Sequence, residues 1–168
     1  SRTSVQEKQI SGDVPLFVQN LENVRAEFRT LTASGMGEKE EQTLSVPRDV
    51  RNLRFAIPLS VRGMLNGKSG AVRGTLYPTP QPGSNGSGAS FFGQITPWAV
   101  HVKFGHHNSF VWVSDFKTGE PVKDAVVKIF HDSRDGFVSD RVPETEGKTD
   151  ADGIAVLDGS AKIASAPN

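Results

Sequence analysis

The chain has 168 residues, and its 19 Lys plus Arg balance its 19 Asp plus Glu, so the formal net charge is zero. This balance provides no overall field to attract nucleic acid or anionic lipid, and we expect no nucleic-acid partner. The absence of cysteine excludes disulfides, thiolate metal sites and cysteine nucleophiles.

Neither a membrane span nor a leader is visible in the sequence. No apolar run approaches the roughly 20 residues that cross a bilayer, so we expect no direct membrane insertion. The N-terminal SRTSVQEKQISGD lacks the apolar stretch of a signal peptide. We therefore expect either a cytosolic protein or an internal piece of a longer exported chain.

The first half predicts mainly strands. Residues 14–20 form one candidate, and residues 24–33 alternate apolar with charged positions, as in a strand with one buried face. The charged GMGEKEEQ predicts a solvated loop or hairpin tip. One short helix is predicted near 58–66, since Pro58 suits a first helical turn and Gly67 a helix exit. The run GAVRGTLY then predicts another strand.

A break in the pattern separates two domains. Residues 78–90 are dense in Pro, Gly and Ser and predict a flexible loop. Residues 97–104 alternate again, FGHHN provides a tight turn, and SFVWVSD returns as the second strand of a hairpin. We place one domain at 1–93 and a second at 94–168.

The expected fold class is all-β, with two tandem immunoglobulin-like β-sandwich domains, because strands occur without alternating helices. The second half supplies only four or five predicted strands, whereas a complete immunoglobulin-like sandwich has about seven. We therefore expect the second domain to be truncated at its C-terminus or to be completed by a partner chain.

Two glycine-containing motifs resemble binding loops and fail on their spacing. In RGMLNGKSG, Arg62 occupies the first required glycine position of a phosphate loop, and a β-type run follows Ser69 in place of a helix. In KTDADG, Lys148 stands where an EF-hand needs its first carboxylate, and Gly159 stands where it needs the last. We interpret both as turns, with a weak ion site as the alternative at KTDADG.

Candidate metal and catalytic groups are equally sparse. His101, His106 and His107 are close along the chain, and His131 is more distant. His106 and His107 are adjacent and should point in opposite directions, and no nearby carboxylate completes a metal-binding triad. The sequence contains no serine-hydrolase elbow and no His-Glu-x-x-His motif. We predict no catalytic, cofactor-binding or metal-binding residue and no enzymatic activity. Trp98 and Trp112 are expected in the core or at an interface, with a sugar-binding platform as the alternative.

Longer patterns resemble the bacterial α2-macroglobulin family. In the second half these are FFGQITPWAVHVKFG, VWVSDFKTGEPVKDAVVKIF and GKTDADGIAVL, which match the "TG-x-PV-x-x-A-x-V" and "T-D-x-x-G-x-A" patterns of its recurring module. In the first half they are VPLFVQNLENVRAEFRTL and IPLSVRGMLNGKSGAVRGTLYP, which resemble the preceding module. The resemblance covers most of 14–158.

That resemblance implies tandem macroglobulin-type domains from a periplasmic protease trap anchored to the inner membrane. Such traps respond to cleavage of a bait segment by changing conformation around the protease, and many also attach to it through a thioester. The implied partners are host or competitor proteases, reached through the parent protein, and neighbouring macroglobulin-like domains. This chain has no cysteine, so a thioester or a lipid-anchoring cysteine would lie outside it.

A rival interpretation is a pair of immunoglobulin-like domains from a bacterial surface adhesin or carbohydrate-binding protein. The TGEPVKDAVV hairpin also suits such repeat arrays. Exposed, coplanar rings of Trp98 and Trp112 would favour this rival, and buried rings would favour a scaffold. A hydrolase rests on no feature of the sequence.

Overall fold

In a computed structural model, described residues are 2–7, 13–32, 35–47, 52–81, 88–130 and 142–163. The chain divides into two compact units, Ser1–Ile95 and Thr96–Asn168. The division falls two residues beyond the boundary predicted from the sequence. Each unit has an apolar core of its own.

The first unit packs a large antiparallel sheet against a small one. Its elements in chain order are β1 (Arg2–Glu7), β2 (Val14–Val18), β3 (Asn23–Thr32), β4 (Gly35–Met36), β5 (Glu40–Ser45), β6 (Phe55–Leu59), α1 (Val61–Met64), β7 (Gly70–Thr79) and β8 (Ala89–Thr96). The large sheet has the order β1-β8-β7-β3-β4, with β5 also paired to β3. The small sheet is the antiparallel pair β2 and β6.

The core of the first unit lies between the two sheets and under α1. Alternate residues of β3 and β7 point inward, because a strand directs successive side chains to opposite faces. The buried set from the sheets and helix includes Val24, Ala26, Phe28, Val72, Leu76, Phe91, Ile95, Leu16, Ile57, Leu59, Val61 and Met64. Gly93 of β8 allows α1 to pack closely against the sheet, since a Cβ on Gly93 would lie 2.6 Å from a methyl of Val61.

The helix is shorter than predicted. It spans Val61–Met64, whereas Pro58 and Leu59 belong to β6. The residues of β6 alternate in burial, with Ile57 and Leu59 inside and Pro58 outside. A proline is compatible with an edge strand as well as with a first helical turn, so the proline signal was ambiguous here.

Two predicted loops are also partly strand. Residues 40–42 of the predicted GMGEKEEQ loop lie in β5, which pairs with β3 and exposes most of its side chains. Pro78 and Thr79 end β7, and Ala89 and Ser90 begin β8. The described strands therefore narrow the predicted 78–90 loop, and its central residues 82–87 lie outside the described residues.

The second unit is a smaller pair of sheets. Its elements in chain order are β9 (Trp98–Lys103), β10 (Asn108–Asp115), β11 (Val126–Ile129), β12 (Thr145–Lys148), β13 (Ile154–Asp158) and α2 (Ser160–Ile163). One sheet has the order β13-β10-β9 and the other is the pair β11 and β12. The core consists of Val111, Val113, Ala155 and Leu157, with Val122, Ala125, Val127 and Ile129 packed against them.

This architecture confirms the predicted all-β class and the two tandem β-sandwich domains. The predicted hairpin of the second half is present, because β9 and β10 pair antiparallel from Phe110 opposite Lys103 to Asp115 opposite Trp98. In the described part of the second unit the sheets contain three and two strands.

Candidate functional surface

The glycine-rich segment after α1 forms a helix-to-strand turn. The Ser60 hydroxyl accepts a hydrogen bond from the Gly63 N–H at 3.2 Å and caps the start of the helix. Gly67 has a φ of 75°, and its N–H donates to the Arg62 carbonyl at 2.9 Å. The chain enters β7 at Gly70. The backbone groups of this segment are therefore used to end the helix.

The KTDADG segment is a turn closed by its own aspartate. One carboxylate oxygen of Asp150 accepts hydrogen bonds from the N–H groups of Asp152 and Ile154, each at 2.9 Å. Gly153 has a φ of 75°, and a Cβ there would lie 2.5 Å from the Val113 carbonyl oxygen. Among the described residues, no group of His, Asp and Glu side chains is arranged to hold a metal ion.

Thr149 joins this turn to the segment before β11. Its hydroxyl is buried and donates to the Val122 carbonyl at 2.6 Å. The same oxygen accepts from the Ala125 N–H at 2.9 Å. The threonine of the "T-D-x-x-G-x-A" pattern therefore connects two chain segments that are distant in sequence, and Ala155 at the end of the pattern lies in the core.

The TGEPV turn is organised by Asp115. Its carboxylate accepts hydrogen bonds from the N–H groups of Lys117 at 2.9 Å and Thr118 at 2.8 Å. The bond from Thr118 is the main reason that the pKa of Asp115 lies below its ordinary value. Gly119 turns the chain with a φ of 75°, and the Val122 N–H then donates to the Val113 carbonyl at 3.0 Å.

Two of the three described histidines contact each other, and the third contacts a tryptophan. His106 and His107 lie exposed between β9 and β10, with ring centroids 4.8 Å apart in an edge contact. His101 stacks on Trp112 at a centroid distance of 5.5 Å and an interplanar angle of 28°. His131 lies outside the described residues.

The two tryptophans lie on opposite faces of the same sheet. Trp98 shares a face with Val100 and Val102, which pair with the core residues Val113 and Val111. Trp112 pairs with His101 on the other face. Their side chains are 48% and 45% exposed, so neither lies in the core, and the predicted interface position stays a prediction. Since they face opposite directions, they cannot form one flat platform for a sugar.

Exposed apolar residues also lie on the outer face of this sheet, the face that carries Trp112. Phe110 and Trp112 of β10 stand beside Val156 and Ile154 of β13, with which they pair directly. All four side chains are exposed. Contiguous exposed apolar residues of this kind are typical of surfaces that contact other protein domains.

The first unit instead presents a charged strand surface. The Lys39 ammonium lies 2.7 Å from a Glu27 carboxylate oxygen, and Arg25 contacts both Glu27 and Glu41. The bond with Lys39 lowers the pKa of Glu27, and the same bond raises the pKa of Lys39. Arg25 also lies 4.9 Å from the Tyr77 ring centroid. These contacts link β3 to β5 and β7 on the solvent side.

No described helix is long and apolar enough to cross a membrane. The chain is thus a tandem pair of β-sandwich domains. The polar residues of its motifs hydrogen-bond backbone groups in turns, and its second unit exposes apolar strand faces.

Solved structures with a similar tandem fold are known. The fold of this chain is similar to native α2-macroglobulin from Escherichia coli in a structure spanning domains NIE–MG1, with a TM-score of 0.63, 12% identity, and coverage of 96% of this chain and 86% of that one. A structure of the same protein spanning MG0–NIE–MG1 matches with a TM-score of 0.62 and 15% identity over 96% of this chain. A Salmonella α2-macroglobulin structure matches with a TM-score of 0.60 and 14% identity, again over 96% of this chain.

These likenesses establish the fold, and the predicted resemblance to bacterial α2-macroglobulin domains is confirmed at that level. The chain spans 56% of the second matched chain and 10% of the third. No protein-family model matches the sequence. No curated protein matches it either.

Proposed function

We propose that this chain is a pair of structural domains in a bacterial α2-macroglobulin-like protease trap. The observation that carries the proposal is the fold likeness over 96% of the chain to consecutive domains of one such protein. At this coverage the likeness extends over both units, which a likeness to one common sandwich would not do.

The local chemistry supports a scaffold role. Ser60, Asp115, Thr149 and Asp150 use their side-chain oxygens to hold backbone N–H groups of turns. Side-chain oxygens that bind backbone N–H groups in this way stabilise the turns that connect the strands. The proposed contribution is therefore to hold the bait segment and any thioester domain, which lie elsewhere in the parent, in a defined arrangement. We propose no catalytic activity for the chain itself.

The proposed partners are neighbouring macroglobulin-like domains and, through the parent protein, the proteases that it traps. The proposed location is the periplasm, with the parent anchored to the inner membrane. Exposed apolar strand faces on the second unit suit contacts with further domains.

Incubation with proteases of different specificity tests the proposal. Trypsin, chymotrypsin and elastase are each mixed with this chain or with the full-length parent, and their activity on a protein substrate is then measured. We expect the full-length parent to reduce that activity and the isolated chain to leave it unchanged. Inhibition by the isolated chain, or a parent that inhibits none of the proteases, would contradict the proposal.

The adhesin or carbohydrate-binding alternative keeps one supporting observation, the half-exposed Trp112 on an apolar face. Titration with bacterial polysaccharides, read by tryptophan fluorescence, separates the two functions. A scaffold is expected to give no change, whereas saturable quenching that disappears in Trp112→Phe would favour the alternative.

A further inference from the structure

The small sheet of the first unit consists of apolar residues only. β2 has the sequence VPLFV and β6 has the sequence FAIPL, with no charged or polar side chain in either strand. One face of the sheet packs into the core, and the other face exposes Pro15, Phe17, Ala56 and Pro58. Short apolar segments that favour strands tend to pair with strands of other chains when their edges are free.

Both strands of this sheet lie at an edge. β2 and β6 pair with each other, and neither has a second strand partner among the described residues. An edge strand directs unpaired backbone N–H and C=O groups outward, and an apolar edge strand is a site of aggregation unless some feature blocks pairing. The composition of this sheet therefore raises the question of what blocks its edges.

Two prolines lie directly opposite each other in the sheet. Pro15 of β2 pairs with Pro58 of β6. In an antiparallel sheet, pairs that exchange two N–H···O bonds alternate with pairs whose backbone groups point away from the partner strand. Because proline has no N–H, the hydrogen bonds between β2 and β6 are complete only if Pro15 and Pro58 form a pair of the second kind. Their nitrogens then point outward, one on each edge.

Each edge of the small sheet therefore lacks a donor. Outward direction alternates along a strand, so the outward backbone groups of β2 belong to Pro15 and Phe17, and those of β6 belong to Ala56 and Pro58. Phe17 and Ala56 retain an N–H. At each proline, a ring carbon occupies the place of the hydrogen. A strand that approaches either edge thus loses a hydrogen bond and meets a ring in its place.

We propose that Pro15 and Pro58 are gatekeepers, that is, residues that close both edges of the small sheet to a further strand and so prevent copies of this chain from joining edge to edge. Each strand carries one proline, placed where it interrupts no hydrogen bond within the sheet. Proline at such a position blocks pairing with other chains and leaves the fold intact. The inference goes beyond the proposed function and does not depend on it.

Proline-to-threonine substitutions test the proposal. Threonine restores the N–H and favours strands, and it makes the exposed face less apolar, so added apolar surface cannot explain any association. The variants are Pro15→Thr and the double variant Pro15→Thr with Pro58→Thr. Ala56→Thr is the matched control, because it places the same side chain on the same face and adds no N–H. Circular dichroism checks that each variant is folded, and sedimentation velocity then measures its mass over a range of concentrations.

We expect Pro15→Thr to form dimers, because one open edge pairs two chains and is then used up. Two N–H donors return to such a symmetric pair, so self-association should be at least about tenfold tighter than that of the unsubstituted chain. The double variant opens both edges and should grow beyond dimers, and Ala56→Thr should behave like the unsubstituted chain. A folded Pro15→Thr chain that associates no more than Ala56→Thr would overturn the proposal. A double variant that stops at dimers would overturn the role of Pro58.

Amide exchange locates the contact and provides a measurement that needs no variant. In Pro15→Thr, the Phe17 N–H is expected to become protected as the concentration rises. Association without this protection would overturn the proposal, because another surface would then form the contact. In the unsubstituted chain, the Phe17 N–H is expected to exchange at the same rate at all concentrations. Protection that rises with concentration there would show that the edge pairs in spite of Pro15, and would also overturn the proposal.

Discussion

At the scale of single residues, the polar side chains of the turn motifs bind backbone groups. Thr149, Asp115 and Asp150 each pair with two backbone groups. Short polar side chains that bond to nearby backbone groups stabilise turns in just this way. Thr149 binds residues that are 24 and 27 positions away in the sequence, whereas the two aspartates bind residues of their own turns.

Thr149→Val removes the buried hydroxyl and keeps the shape of the side chain. It leaves the Ala125 N–H and the Val122 carbonyl without their partner, and unsatisfied buried polar groups cost about 1–3 kcal/mol each. We expect the free energy of unfolding of the second unit to fall by about 2–4 kcal/mol, as measured by urea denaturation.

Thr149→Ser is the matched control, because it keeps the hydroxyl and removes only a methyl group. We expect it to cost about 1 kcal/mol. Equal losses for valine and serine would mean that packing, and not the hydroxyl bonds, is responsible.

Asp115 predicts a pH dependence of the second unit. Its pKa is lower in the folded protein than in the unfolded chain, mainly because the Thr118 N–H bonds to the charged carboxylate. The stabilisation is therefore fully present above the unfolded value of about 3.9 and is lost as the pH falls through the lower folded value. Asp115→Asn should lower stability at pH 7, and this difference from the unsubstituted chain should shrink on acidification. A difference that stays constant between pH 7 and pH 2.5 would contradict this account.

At the scale of elements, the position of α1 depends on a glycine in a distant strand. Gly93→Ala would place a Cβ 2.6 Å from a Val61 methyl, so either the helix or β8 must shift. Overpacking of this kind costs about 1–3 kcal/mol, and we expect that loss of unfolding free energy in the first unit.

The double variant Gly93→Ala with Val61→Ala tests whether the contact is the cause. Removing the Val61 methyls makes room for the new Cβ, so the double variant should lose at least about 0.5 kcal/mol less than the sum of the single variants. Additive losses of unfolding free energy would mean that the destabilisation by Gly93→Ala does not come from the contact with Val61.

Alternation of apolar and polar residues predicted some strands of this chain and missed others. Strands β3 and β9 alternate apolar and polar residues along most of their length and were predicted from that pattern. By contrast, β5 begins with two glutamates and exposes most of its side chains. The signal for its pairing lies in β3, whose Arg25 binds Glu41 of β5 and whose Glu27 binds Lys39, just before β5. The predicted helix is present, but its start at Pro58 was wrong, because proline at an edge strand and proline at a helix start look alike in a sequence.

At the scale of the whole molecule, two separate apolar cores predict two separable stabilities. Gly93→Ala should lower the amide-exchange protection of β3 and β7, and Thr149→Val that of β10 and β13. The two variants together then provide the reciprocal control, since each reports on the unit that it leaves intact. A loss of protection in both units from either variant would show that they unfold as one.

The sequence by itself determined the all-β class, the tandem sandwiches, most strand positions and the turns at Gly67, Gly119 and Gly153. These features follow from local rules, namely side-chain alternation in strands and the positive φ that glycine tolerates. Only the tertiary structure decided that Trp98 and Trp112 face opposite ways and that the valines of β9 lie uncovered. Alternation predicts that one side of a strand is apolar, but whether another sheet covers that side depends on strands far away in the chain.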